Sequence, residues 1–144
     1  MLIRQILAAK GSDVVATRSD ATIGEVAKLL KDKRIGAVVV IDRGDKLSGI
    51  ISERDIARGV AIHGARLQDL KVRDLMTPEV VSCSPDDGLQ KLMQIMTEGR
   101  FRHLPVVQGG KLLGIISIGD VVKHRLQELE LETHMLQDYI AGGA

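Results

Sequence analysis

Aromatic residues are almost missing from this 144-residue chain, which has one Phe, one Tyr and no Trp. Proteins that grip single-stranded nucleic acid stack bases on aromatic faces, and that platform is absent. An excess of one charge is missing as well: 20 Lys and Arg stand against 19 Asp and Glu, a formal net charge of +1. Such a balance gives no general attraction to nucleic acid or to an anionic membrane, so any basic function must be local. Cys83 is the one cysteine, which excludes an intramolecular disulfide and a multi-cysteine metal site. No apolar run approaches the roughly 18 to 20 residues of a membrane span. Met1-Leu2-Ile3-Arg4 lacks the basic-then-apolar layout of a secretory signal. These absences predict a cytoplasmic, soluble protein with no nucleic-acid and no membrane partner.

What the chain has is a repeat of itself. Gly49-Ile50-Ile51-Ser52-Glu53-Arg54-Asp55 recurs as Gly114-Ile115-Ile116-Ser117-Ile118-Gly119-Asp120. Val14-Val15 aligns with Val80-Val81 at a shift of 66, which holds through Gly36 to Ile41 against Arg102 to Val107 and drops to 65 at the motif. The first copy therefore carries one extra residue within Asp42 to Lys46, where a loop absorbs it. The lead-ins match too, Ile3-Arg4-Gln5-Ile6-Leu7 resembling Val72-Arg73-Asp74-Leu75-Met76. Two units of about 60 residues are each marginal alone, so the copies are expected to pack on one another.

Local patterns fill in each copy. Thr22-Ile23-Gly24-Glu25 has the form of a capping box, and Ile23, Val26, Ala27 and Leu30 recur at helical spacing, predicting a helix to about Lys33. Its counterpart starts near Asp86-Asp87, buries Leu89, Leu92, Met93 and Met96, and stops at Gly99. Ala37 to Ile41 and Leu104 to Val107 read as buried strands, each joined by a turn to a second strand, Lys46 to Ile51 and Lys111 to Ile116. Helices follow at Ser52 and Ser117. With Val14-Val15 and Val80-Val81 as lead-in strands, each copy reads strand, helix, strand, strand, helix. Val122, Leu126, Leu129, Thr133, Leu136 and Ile140 then alternate four and three apart, predicting a helix from Asp120 towards Ala141, docked on its own domain or a neighbour. The boundaries expected are 1–65 for the first repeat, 66–125 for the second and 126–144 for the helical tail.

Ser-x-x-Asp satisfies a helix capping pattern, and a cap alone would explain both motifs. A hydroxyl beside helix-start amides also forms a small anion site, and a carboxylate one turn in can accept hydrogen bonds from a vicinal diol such as ribose.

The two Gly-x-x-Ser-x-x-Asp segments, the lead-in Asp74-Leu75-Met76-Thr77-Pro78-Glu79-Val80-Val81 and the segment Arg102-His103-Leu104-Pro105-Val106-Val107 resemble a pair of cystathionine-β-synthase (CBS) domains, the tandem called a Bateman module. The resemblance covers nearly all of residues 2 to 124. It implies an α/β (α+β) fold of two β-α-β-β-α repeats packed sheet to sheet about a pseudo-twofold axis, plus a C-terminal helix. It also implies clefts that bind AMP, ADP, ATP, NAD(H) or S-adenosylmethionine. Carried over residue by residue, it assigns ribose to Asp55 and Asp120, and phosphate to Ser52, Arg54, Arg102, His103 and Ser117. Adenine falls to Thr17, Gly36 and Ala37 in one copy and to Cys83, Leu104 and Pro105 in the other. Pairs of this family associate into disc-like dimers, and Ile56 to Ile62 and Val121 to Leu129 are the contacts expected here.

The copies are chemically unequal, since Arg54 and Arg58 face Gly119 and Lys123, and Gly36-Ala37 face Arg102-His103. Arg102 suits a bidentate phosphate contact. His103 has no carboxylate or second His at ligand spacing, so no metal is expected. Cys83 reads as a buried small hydrophobe and Pro105 as marking an edge or a bulge. No nucleophile, base and orienter stand together, so no catalytic residue is assigned and no cofactor is required. The expectation is a free-standing, non-catalytic energy-sensing module that takes AMP, ATP or NAD(H), forms a homodimer and signals to an unknown effector protein. The alternative is an interaction or scaffold module with no nucleotide dependence, acting through its apolar tail.

Overall fold

In the computed structural model, which describes residues 1–11 and 13–142, the chain runs α1 (Ile3–Lys10), β1 (Ala16–Thr17), α2 (Ile23–Lys33), β2 (Ala37–Asp42), β3 (Lys46–Ser52), α3 (Glu53–His63), α4 (Val72–Leu75), α5 (Leu89–Gly99), β4 (His103–Gln108), β5 (Lys111–Ser117) and α6 (Ile118–Gly142). Short 3-10 turns lie at Arg43–Asp45 and Gly64–Asp69. This is the mixed α/β arrangement of two repeats and a C-terminal helix. Residues 143 and 144 of the expected tail lie outside the described residues.

Local chemistry sets most boundaries. The Glu25 N–H donates to Thr22 Oγ1 at 3.1 Å and the Thr22 N–H to Glu25 Oε2 at 3.2 Å, so the capping box starts α2. Ile23, Val26 and Leu30 are its buried face. Ala27 is exposed, and Leu29 packs on the core in its place. The start of α5 falls later than expected, with Gly88 as its N-cap. Asp87 closes the preceding turn instead, its carboxylate accepting from the Ser84 N–H at 2.9 Å.

The hairpins are superimposable in register. Ala37 faces Ser52 and Val40 faces Gly49 in one; His103 faces Ser117 and Val106 faces Gly114 in the other. Both slip by a bulge at the same point, between Val40 and Ile41 and between Val106 and Val107. The extra residue of the first copy sits in the turn, where Arg43–Asp45 replaces Gly109-Gly110.

The lead-in strands differ from expectation. Val14-Val15 is unpaired, and β1 runs parallel to β2 only at Ala16–Thr17. Val80-Val81 is unpaired as well, and its copy touches the sheet through one parallel bridge, Cys83 to Val106. The cause is upstream tethering: Thr77 is hydrogen-bonded to Ile50 in the other repeat, so the chain reaches β4 only at Cys83.

Two hydrophobic cores form, and the lead-in helices are exchanged between them. Ile3 and Ile6 of α1, both 0% exposed, pack with Leu89, Leu92, Leu104, Val106 and Ile116 of the second copy. Val72 of α4 packs with Ile23, Val26, Val38 and Ile51 of the first. Each core is completed by a segment that precedes the opposite copy, which welds the repeats together. Beyond Glu128, α6 leaves its own domain, and every residue from Leu129 to Gly142 is exposed.

Candidate functional site

The two motifs build helix starts of the same design. The Ser52 N–H donates to Asp55 Oδ2 at 2.9 Å and the Asp55 N–H to Ser52 Oγ at 3.3 Å. The Ser117 N–H donates to Asp120 Oδ2 at 2.9 Å and the Asp120 N–H to Ser117 Oγ at 3.1 Å. The next amide in each is consumed across the hairpin, Glu53 N–H by the Gly36 carbonyl at 2.9 Å and Ile118 N–H by the Arg102 carbonyl at 2.8 Å. Both Asp residues are thus capping carboxylates held rigidly at the carboxyl ends of β3 and β5.

Asp55 opens onto a cleft of about 700 Å³ between the copies. Of the residues expected at a site, Ser52, Arg54, Asp55, Gly36, Ala37, Arg102, His103 and Ser117 line it. Across this cleft Gly36 comes close to the other copy: a Cβ there would lie 3.5 Å from His103 Cε1. Four guanidinium groups, Arg54, Arg58, Arg100 and Arg102, belong to the lining, and none of them has an ion-pair partner within 4.0 Å among the described residues. Glu53 and Glu79 join Asp55 as its acidic members. The cleft therefore offers the Asp55 carboxylate and an excess of cationic donors in its lining, a match for a molecule with a diol at one place and an anion at another.

Arg100, Thr77 and Glu79 also line the cleft and are assigned no site role from the sequence, although Thr77 and Glu79 belong to the lead-in segment that carries the resemblance. Arg100 caps α5 in the left-handed region, at φ 55°, as Arg34 does for α2 at the equivalent position, also at φ 55°. The repeat alignment held that signal, since both residues follow the helix that ends before the inner strand.

Thr17, Cys83, Leu104, Pro105 and Asp120 do not line this cleft. Thr17 stands on β1 opposite Val40. Cys83 and Leu104 are core residues, and the Pro105 carbonyl accepts from the Cys83 N–H at 2.9 Å. Burial, reinforced by the nearby Asp87 charge, pushes the Cys83 thiol up to about 12, so it stays protonated and unreactive. Asp120 is engaged elsewhere: Lys10 Nζ approaches its Oδ2 to 2.6 Å. Burial by itself raises the Asp120 carboxyl, but the hydrogen bonds from Lys10 and from the Ser117 N–H outweigh it and hold the group below its ordinary value. His103 is shifted down, chiefly by burial and then by the Lys10 charge, so its imidazole is neutral at pH 7.

Among the described residues no group of three or more His, Cys, Asp or Glu is placed to hold a metal ion. No helix among them is long and apolar enough to cross a membrane.

Comparison with known proteins bears on this geometry. The CBS domain family matches residues 4–62 and 72–127. The crystal structure of a CBS-domain-containing protein from Agrobacterium tumefaciens superposes with a TM-score of 0.85 at 47% identity, covering 87% of this chain and 99% of that one. The mitochondrial CBS domain-containing protein CBSX3 of Arabidopsis thaliana is 36% identical over 129 residues, 87% of this chain but 63% of that relative's length. The crystal structure of CBSX2 in complex with AMP aligns at a TM-score of 0.71 and 29% identity, over 81% of this chain and 91% of that one.

Proposed function

We propose that this chain, which belongs to the CBS domain family, is a non-catalytic cytoplasmic regulatory module that binds an adenine nucleotide, AMP, ATP or NAD(H), between its repeats and signals to an effector protein. The observation that carries this is Asp55, fixed by the Ser52 cap in the lining of a cleft of about 700 Å³ that also includes Arg54, Arg58, Arg100 and Arg102. In this reading the Asp55 carboxylate takes the ribose hydroxyls. The arginines, Ser52 and Ser117 take phosphate, and Gly36-Ala37 with Thr17 behind them form the adenine wall. Asp120 with Cys83, Leu104 and Pro105 forms the equivalent second site. The solved AMP complex of a relative supports the ligand class. Signalling then requires that the nucleotide prefer one packing of the repeats over another, since equal affinity shifts nothing.

A homodimer fits the same picture, because Val60 and Ile62 on α3 and Val122, Leu126 and Leu129 on α6 are all exposed, from 41% to 75%. A second reading, a protein-interaction module with no nucleotide dependence, draws on one observation: Leu136 and Ile140 continue that apolar stripe at 60% and 70% exposure on the free end of α6. A thermal-shift screen against AMP, ADP, ATP, NAD+, NADH and S-adenosylmethionine separates the two. A ligand at 100 times its dissociation constant adds about 2.7 kcal/mol of stability. A nucleotide-selective shift that Asp55→Ala removes is expected; no shift with any of the six would leave the interaction reading standing.

A further inference from the structure

The two Ser-x-x-Asp sites differ in one contact that comes from neither motif. Lys10 Nζ donates to Asp120 Oδ2 at 2.6 Å and to the Ile115 carbonyl at 2.7 Å. Neither side chain is far out in solvent, at 34% exposure for Lys10 and 23% for Asp120. In the first copy the carbonyl equivalent to Ile115 is that of Ile50, and it accepts instead from the backbone N–H of Thr77 at 2.9 Å. A backbone donor on one side is thus replaced by a side-chain ammonium on the other, and only the ammonium brings a charge to the neighbouring carboxylate.

The difference follows from helix length. Leu7 of α1 and Met76, which follows α4, are equivalent, and both rest on the motif glycine of the opposite copy, Leu7 on Gly114 and Met76 on Gly49. The chain then diverges. Met76 is extended at φ −64°, ψ 158°, so α4 stops at Leu75 after 4 residues. The 8-residue α1 runs about one turn further and ends at Lys10, its Gly11 N–H closing on the Leu7 carbonyl at 2.8 Å. Ile3 and Ile6, wholly buried, anchor the helix that presents Lys10. At the lead-in shift of 69, the residue matching Lys10 in the other copy is Glu79, of opposite charge, which lines the cleft of Asp55.

We propose that Lys10 sets the order in which the two nucleotide sites fill: its ion pair closes the Asp120 site against a ribose diol, so that each chain takes one adenine nucleotide, at Asp55, before the second site opens. A neutral diol that takes both carboxylate oxygens of Asp120 must displace from Oδ2 a short charge-assisted hydrogen bond, which is roughly twice as strong as a neutral one. A pair that is closed for 90 to 99% of the time weakens the apparent affinity about 10- to 100-fold. This rests on the nucleotide reading above and adds to it an order of filling.

Titration calorimetry of the full chain with AMP, in the wild type and in Lys10→Gln, Lys10→Arg and Lys10→Gln/Asp120→Asn, tests the lock. The expected result is one high-affinity AMP per chain in the wild type and in Lys10→Arg, a second in Lys10→Gln with affinity raised about 10- to 100-fold, and its loss in the double variant. Two equal sites in the wild type, an unchanged single site in Lys10→Gln, or weaker binding in Lys10→Gln would each overturn the lock while leaving nucleotide binding in place. Absence of AMP binding to all four proteins, with the same result for ATP and NADH, overturns the nucleotide reading and the lock with it. Carboxyl NMR of Asp120 gives a second readout free of nucleotide: its titration moves up in Lys10→Gln, and an unmoved titration contradicts the pair.

Discussion

A Cβ placed on Gly49 would lie 2.7 Å from the carbonyl oxygen of Thr77, whereas one placed on Gly114 would meet Leu7 Cδ2 at the same 2.7 Å. The glycine of each motif is therefore a socket for the lead-in of the opposite copy, but the first socket holds the Thr77 backbone beside the Met76 side chain and the second a side-chain methyl alone. Gly49→Ala is expected to cost about 1–3 kcal/mol, because the Thr77–Ile50 backbone pairing must shift. Gly114→Ala is expected to cost less than half as much, since Leu7 can turn its methyl aside. Urea denaturation of the two variants decides this, and equal losses would contradict the difference between the sockets.

Exchange of the lead-ins has a consequence at a distance along the chain. Ile3→Ala removes a fully buried side chain from the core of the second copy, and Val72→Ala does the same to the first. Ile3→Ala is expected to destabilise by about 2–5 kcal/mol, the range for large-to-small changes in a packed core. Hydrogen exchange is expected to accelerate first in α5, β4 and β5 for Ile3→Ala and in α2 and β2 for Val72→Ala. Loosening of the nearer copy in sequence instead would rule out the exchange.

Asp55 has two tasks that substitution can separate. Asp55→Asn keeps an oxygen to accept the Ser52 N–H, so the start of α3 survives, while the charge offered to a diol is lost. Hydrogen bonds to a charged group are worth about 1.5–3 kcal/mol, so AMP affinity is expected to fall about 10- to 100-fold with little change in melting temperature. Ser52→Ala loses the cap and is expected to destabilise by about 0.5–2 kcal/mol. Retention of full AMP affinity in Asp55→Asn would remove Asp55 from the ribose role.

The parts legible in the sequence are those fixed by near neighbours. Thr22 and Glu25 are three residues apart and announce their box; the hairpins follow from apolar runs and their turns; the Ser-x-x-Asp caps repeat. What stayed hidden is set by tertiary placement. Val14-Val15 has every local mark of a strand, yet pairing begins only at Ala16, where the chain reaches β2. Lys10 and Asp120 lie 110 residues apart, and only the destination of α1 brings them together. The arginine of the cleft that sequence reading missed, Arg100, sits in a left-handed cap that only its alignment with Arg34 marks.

Arg100 and Arg102 offer a test of charge against shape. Both lie on the cleft and both are exposed, so their contribution to phosphate is screened by salt. Arg102→Ala is expected to weaken AMP more than adenosine, and to flatten the salt dependence of AMP binding. An equal loss for AMP and adenosine would place Arg102 against the base or sugar instead.

The last prediction concerns protons. His103 is held below the usual histidine value, first by burial, then by the positive charges of Lys10 and Arg102 against the opposing pull of Asp120 and Glu53. A histidine depressed in the folded state is neutral there while its unfolded counterpart still binds protons. Its contribution to stability is therefore complete above pH 6.5 and is lost as pH falls from 6.5 through the lower folded value. Stability is expected to fall over that window in the apo protein, and His103→Gln to flatten the fall. A phosphate dianion in the cleft reverses the balance, because it favours the imidazolium and lifts the histidine's titration back up. AMP binding is then coupled to proton uptake and tightens as pH drops from 8 towards 6.5, before phosphate itself protonates near pH 6. Calorimetry in two buffers of different ionisation enthalpy reads the proton directly. Uptake that vanishes in His103→Gln puts the phosphate beside His103, and a heat of binding independent of the buffer puts it at the arginines alone.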